Sequence, residues 1–203
     1  MRQIATPTAI LNDWLGNAPD DVSELETFHG RWFGKSFETD RHLAETYLDT
    51  LAALAHGLAY EWSARDMQSR LAAIIALDQF SRNIFRDHSF AFRHDRLALG
   101  LAKEAILSGA DKHLREVERM FLYLPLEHSE HLPDQVLSVQ LYTKLVAEAR
   151  PAYRDFLTAT LDFAQRHHDV IAQFGRFPHR NKALKRTSTR EEIAYLAEPG
   201  AGF

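Results

Sequence analysis

The spacing of apolar residues constrains this chain more than any other feature. After Thr39 and Asp40, Leu43, Tyr47, Leu51, Leu54 and Leu58 recur every three or four residues. That interval gathers side chains on one face of an α-helix. His56-Gly57 then supplies a stop signal. A second helix is predicted from about Asp66 to Phe80, with Leu71, Ile74, Ile75 and Leu77 as its apolar stripe. A third is predicted from His94-Asp95 to "LSGADK", where Gly109 suits a left-handed cap because it has no Cβ to clash at positive φ. Further helices fit 115–124, 132–149, 151–174 and 189–197. Pro133 and Pro151 suit first-turn positions. Ser188 and Thr189, each followed three residues later by Glu, suit a capping box.

No segment shows sustained period-2 alternation, so the expected fold is all-α, with short connections making antiparallel helical hairpins. No internal repeat and no low-complexity linker interrupts the chain, and its 203 residues fit a single helical domain, 1–203. The first forty residues are the least regular; "WLGNAPDD" and "RWFGKSF" read as a packed loop region.

Composition narrows the functional classes. A net charge of −4 argues against nucleic acid, which needs a basic face. No window approaches the roughly 20 apolar residues of a membrane span, and the N-terminus has no signal-peptide pattern. With no cysteine there is no disulfide and no thiolate chemistry. The expectation is a cytoplasmic protein without membrane or nucleic-acid partners, and no cofactor is indicated.

Three polar constellations interrupt the apolar pattern. In "LAAIIALDQFSRNIFR", Asp78 precedes Arg82 by one helical turn, so the two can pair; Asn83 and Arg86 follow. In "YLPLEHSEHLPDQ", His128 and Glu130 combine imidazole with carboxylate, which suits acid–base work. The spacing matches no metal motif, and Pro125 and Pro133 frame the stretch as a turn in which capping competes with ligation. In "HHDVIAQFGRFPHRNKALKR", His168 and Asp169 lie late in a helix that Gly175 ends. Arg176, His179, Arg180 and Asn181 then surround the start of a short helix, whose N-terminus favours anions. The same cations can instead neutralise Asp78 or Glu130. The His168-Asp169 pair is not that of a metal phosphohydrolase, because no aspartate follows it.

"LDQFSRNIFR", "YLPLEHSEHLPDQ" and "FGRFPHRN", in this order, together with "ILNDWLG", "RWFGKSFETD" and the terminal Phe203, resemble the bacterial domain-of-unknown-function family 924 over nearly the whole chain. The resemblance implies an all-α fold similar to tetratricopeptide-repeat superhelices without their repeat consensus. It implies no activity. The chain departs from the family pattern at Glu127, where an apolar residue is usual, at His131, where an acidic one is, and in "ILNDWLG", where the family is more aromatic. The first two departures count against a metal site.

Two functions follow. One is a pocket for a small anionic ligand, with His128, Glu130 and His168 as catalytic candidates and Asp78, Arg82, Asn83, Arg86, Arg176, His179, Arg180 and Asn181 as binding candidates. An enzyme built this way would be hydrolase-like, with basic groups outnumbering acidic ones. The alternative is a protein- or peptide-binding helical module, with Trp14, Trp32, Phe33 or Trp62 on its binding face and the polar set acting only as an internal brace.

Overall fold

A computed structural model describes residues 4–202, so Phe203 lies outside the described residues. Among them every regular element is helical and no strand occurs, as the apolar period requires.

Where the sequence suggests a packed loop region, residues 4–40 contain two short helices, with turns at 16–23 and an irregular stretch at 34–36. Helix α1 spans Pro7–Leu15 and α2 spans Glu24–Phe33. Thr6 caps α1 by accepting from the Ala9 N–H, and Pro7 sits where a missing N–H costs nothing. Gly16 stops the helix at φ 51°, and a Cβ there would run into the Phe28 ring. Trp32 Nε1 donates to the Trp14 carbonyl at 2.7 Å, tying α2 to α1. Each helix is too short to display a clear period, which hides it in the sequence.

Helix α3 spans Phe37–Ala53 and α4 spans Ala59–Arg65. The break between them falls at Gly57, whose φ of 122° only glycine adopts readily. Helix α5, Met67–Ile75, starts at Asp66, which accepts from the Ser69 N–H at 2.7 Å and from the Ser69 hydroxyl at 2.9 Å. This helix lies at the centre of the molecule, against α1, α4, α7 and α8. Every residue from Leu71 to Ser81 is buried. The predicted stripe is therefore a helix buried on all sides, the expected state of a helix that is apolar all round.

The chain passes from α5 through a π-turn at Ala76–Phe80 into α6, Ser81–Ile84. Helix α7, Asp95–Leu107, is followed by Gly109 at φ 72°, the left-handed cap expected there. Helix α8, Glu116–Glu127, continues through Pro125. The turn begins only at His128, because Met120 to Glu127 are all buried and packing outweighs the one backbone bond that proline removes. Helices α9, Leu132–Glu148, and α10, Arg154–Phe174, follow across short connections and pack as successive neighbours. Gly175 ends α10 at φ 68°. Helix α11, Arg190–Leu196, begins with a capping box of Thr189 and Glu192; Ser188 instead accepts from Asn181 Nδ2.

One buried apolar cluster runs from Ile10 to Ala164 through α1 to α10. A smaller one, Val170, Ile171 and Phe177, joins the end of α10 to α11. No helix among the described residues is long and apolar enough to cross a membrane. The cap at the head of the central helix gives a test. Replacing Asp66 with Ala removes both bonds to Ser69 and is expected to lower stability by about 1 kcal/mol, read as a shifted urea midpoint with unchanged slope.

Candidate functional site

The π-turn determines the site, because it puts a carboxylate on the buried central helix. Asp78 is 1% exposed. An ionised carboxyl cannot stay there unpaired, and three donors meet it. Gln79 Nε2 donates to Oδ2 at 2.7 Å. Arg82 Nη1 stands 3.1 Å from Oδ1, the one-turn pair that the sequence predicts. His128 Nδ1 lies 2.8 Å from Oδ1. Burial alone would push the Asp78 carboxyl up, but Arg82 and His128 hold it well below the ordinary carboxylate range. With Asp78 ionised, His128 must donate from Nδ1, which leaves Nε2 as an acceptor. Burial, then Arg82, pushes the His128 pKa down, so the ring is neutral near pH 7.

Arg82 is also forked onto Asp95 with two bonds of 3.0 Å. Arg86 forks onto Asp40 with two bonds of 2.7 Å, and Asn83 donates to the same carboxylate at 2.9 Å. Arg176 pairs with Glu192 at 2.6 Å and 2.8 Å. The predicted surplus of free positive charge is thus absent at these three arginines. Arg180 differs. It is 5% exposed, its guanidinium lies over the rings of Phe177 at 4.4 Å and Phe92 at 4.8 Å, and its Nε has no acceptor among the described residues. The carboxylate it reaches is Asp95, 3.5 Å from Nη1 and already engaged by Arg82. Burial, then Arg82, brings its pKa down to about 10.

Arg82, Asn83, Arg86, His128, His179 and Arg180 all line one cavity of about 510 Å³, with Asp78 behind His128. The other candidates lie elsewhere. His168 points away from the cavity lining and bonds Asp169 at 3.0 Å. Glu130 accepts from Arg186 at 2.7 Å and 2.9 Å and from the Phe177 N–H at 2.8 Å. It fastens the segment after α10 to the turn after α8. Asn181 donates to Ser188 and Glu192, behind the wall that Arg180 forms. The predicted short helix is a three-residue 3₁₀ turn, Pro178–Arg180, too short to act as an anion-binding helix end.

Two residues not chosen from the sequence complete the site. His167, one residue before the chosen histidine, lines the cavity and bonds the Phe163 carbonyl through Nδ1 at 2.8 Å. It follows Ala164 by three and precedes Ile171 by four, so the buried stripe of α10 includes it. Glu127, noted only as a departure from the family, is 4% exposed and lies 3.1 Å from His167. Burial, reinforced by Asp78, pushes its pKa up to about 8, while burial drives that of His167 well below the ordinary value. At neutral pH both groups are uncharged, so their contact is not an ion pair, and the Nδ1 proton of His167 goes to the Phe163 carbonyl. Among the described residues no three histidines or carboxylates converge as metal ligands. Of the four aromatics expected on a partner-binding face, Trp14, Trp32 and Trp62 are at most 5% exposed and Phe33 is 46% exposed.

The comparisons with known proteins agree with this architecture. The family model described as bacterial protein of unknown function (DUF924) matches residues 10–200. A solved structure from Agrobacterium tumefaciens, of a protein of unknown function designated ATU0120, superposes with a TM-score of 0.78 at 33% identity. The match covers 94% of this chain and 96% of that one. Comparison with curated proteins gives no match.

Two predictions follow from the charge arrangement. Arg82→Met would strand Asp78 and Asp95 and is expected to cost about 3–5 kcal/mol in chemical denaturation. The second concerns pH. His128, His167 and His179 have folded pKa values below their ordinary 6.5, that of His179 at about 3. The stability they contribute is present above pH 6.5 and is lost as pH falls. Glu127 has a folded pKa of about 8 against an ordinary 4.5. Its contribution is present below pH 4.5 and is lost as pH rises towards 8. Stability should therefore peak near pH 6.5, and Glu127→Gln should flatten the decline from 6.5 to 8 and steepen the rise from 4.5 to 6.5, leaving the profile below 4.5 unchanged.

Proposed function

Because the chain belongs to the DUF924 family of bacterial proteins of unknown function, whose name carries no activity, we propose a function from the cavity itself: it binds a small anionic ligand at Arg180, within reach of His128. One observation carries this reading. Arg180 is a buried guanidinium with an unmet donor and a share in a single carboxylate, whereas Arg82 and Arg86 are forked onto theirs. A buried cation in that state is costly, and an anion in the cavity would relieve it. The volume, about 510 Å³, falls in the usual range of small-molecule sites.

The same wall carries a proton acceptor and a proton donor. Asp78 holds His128 so that Nε2 is the free polar atom of the ring, and the neighbouring Glu127 retains its proton up to about pH 8. Two groups whose surroundings drive their pKa values apart suit general acid–base chemistry on a bound ligand. Hydrolysis by an activated water needs no nucleophile beyond these.

Arg180→Met tests the assignment. A bound anion at 100 times its Kd adds about 2.7 kcal/mol, a rise of roughly 5–10 °C for a domain of this size. Wild-type protein is expected to show such a rise with at least one member of a panel of phosphates, nucleotides and carboxylates. The variant should melt no lower than wild type and show no rise. If the variant instead loses several degrees and no anion moves the wild-type midpoint, Arg180 is a brace and the cavity is not an anion site.

A further inference from the structure

The balance of charge around the cavity and the division of its walls narrow the ligand further, given the reading of Arg180 as the anion site. The charged groups meeting at the polar end cancel almost fully. Arg82 and Arg180 face Asp78 and Asp95, and Arg86 faces Asp40. At the rim Lys35 and Asp87, both exposed, add one charge of each sign. Among the described residues at this polar end, the cationic capacity left over is the part of Arg180 that Asp95 does not engage. One negative charge can be accommodated there; a second would meet the carboxylates of Asp78 and Asp95 without a cation of its own. A phosphate dianion or a nucleotide therefore fits the site poorly, and a monoanion fits it well.

The rest of the cavity has a different character. Away from Arg180, its walls are Trp32 and Phe33 of α2, Met120 and Leu124 of α8, and Phe156 and Phe163 of α10. Phe33 and Phe163 are 46% and 45% exposed while lining the cavity, so they mark its mouth. A bare anion such as acetate would fill the polar end and leave this apolar space to water. A ligand with an apolar body would cover it. We propose that the cavity takes a monocarboxylate carrying an acyl or arylalkyl body, its carboxylate on Arg180 and its body between α2, α8 and α10.

Calorimetric titration of the full chain with acetate, butyrate, hexanoate and 3-phenylpropionate, beside hexanol, inorganic phosphate and hexyl phosphate, tests this at pH 7.5. Affinity should rise about fourfold for each added methylene from butyrate to hexanoate. Hexanol and hexyl phosphate should bind at least tenfold more weakly than hexanoate. Phe163→Ala, at a half-exposed position, should weaken hexanoate several-fold and leave acetate unchanged. Equal binding of acetate and hexanoate overturns the apolar body while leaving the anion site in place. Preference for inorganic phosphate or hexyl phosphate overturns the single-charge argument, again with the anion site intact. No binding by any anion overturns both this proposal and the reading on which it rests.

Discussion

The structure depends on one carboxylate that the fold has buried. Asp78 stands on a central helix enclosed on every side, at 1% exposure, where an unpaired charge could not persist. Satisfying it determines much of what surrounds it. The helix must run on far enough to deliver Arg82 one turn later, and the π-turn at Ala76–Phe80 sets where Asp78 and Gln79 lie. Helix α8 must end where His128 can reach back. Arg82 in turn requires Asp95 at the head of α7. Segments far apart in the chain are thus tied to a single point, with the geometric selectivity of charge-assisted bonds.

That chain of requirements places the cavity beside the network. Each guanidinium near the cavity is satisfied from within the protein until the last, Arg180, which shares an acceptor already in use. The two flat sides of its guanidinium are covered by Phe92 and Phe177, so it is fixed in orientation without being neutralised. That combination of fixed orientation and incomplete neutralisation is what the proposed anion site draws on. The same low-dielectric surroundings keep His128 and His167 uncharged and Glu127 protonated, so the wall offers neutral donors and acceptors around Arg180.

Much of the fold was legible in the sequence, because the apolar period is long enough to read in α3, in α5 together with the π-turn that continues it and in α7 to α10, and Gly109 and Gly175 mark true ends. Helices α1 and α2 were not, since nine and ten residues show too few apolar repeats. Pro125 misled in the opposite sense: burial carried α8 two residues past it. At the site, residue types and segments were legible, while orientation was less so. Choosing between His167 and His168 required the register of α10, for which Ala164 and Ile171 were the guide. Arginine and glutamate composition could not reveal that Glu130 and Arg176 look to Arg186 and Glu192, because those pairings join parts of the chain that meet only after folding.

Those two pairings bear on how one wall of the cavity is held. The segment from Arg176 to Glu192, which carries His179 and Arg180, is closed on itself by Arg176 on Glu192 and is joined to the body of the protein by polar contacts: Arg186 and the Phe177 N–H on Glu130, and Arg180 on Asp95. Its own apolar cluster is small and separate from the main one. That wall of the cavity therefore rests on charged contacts, where the helices behind it rest on the main apolar core. With Glu192 2% exposed and Glu130 and Arg186 29% and 23%, those contacts are partly buried, and dissolved salt screens them far less than it would pairs in open water.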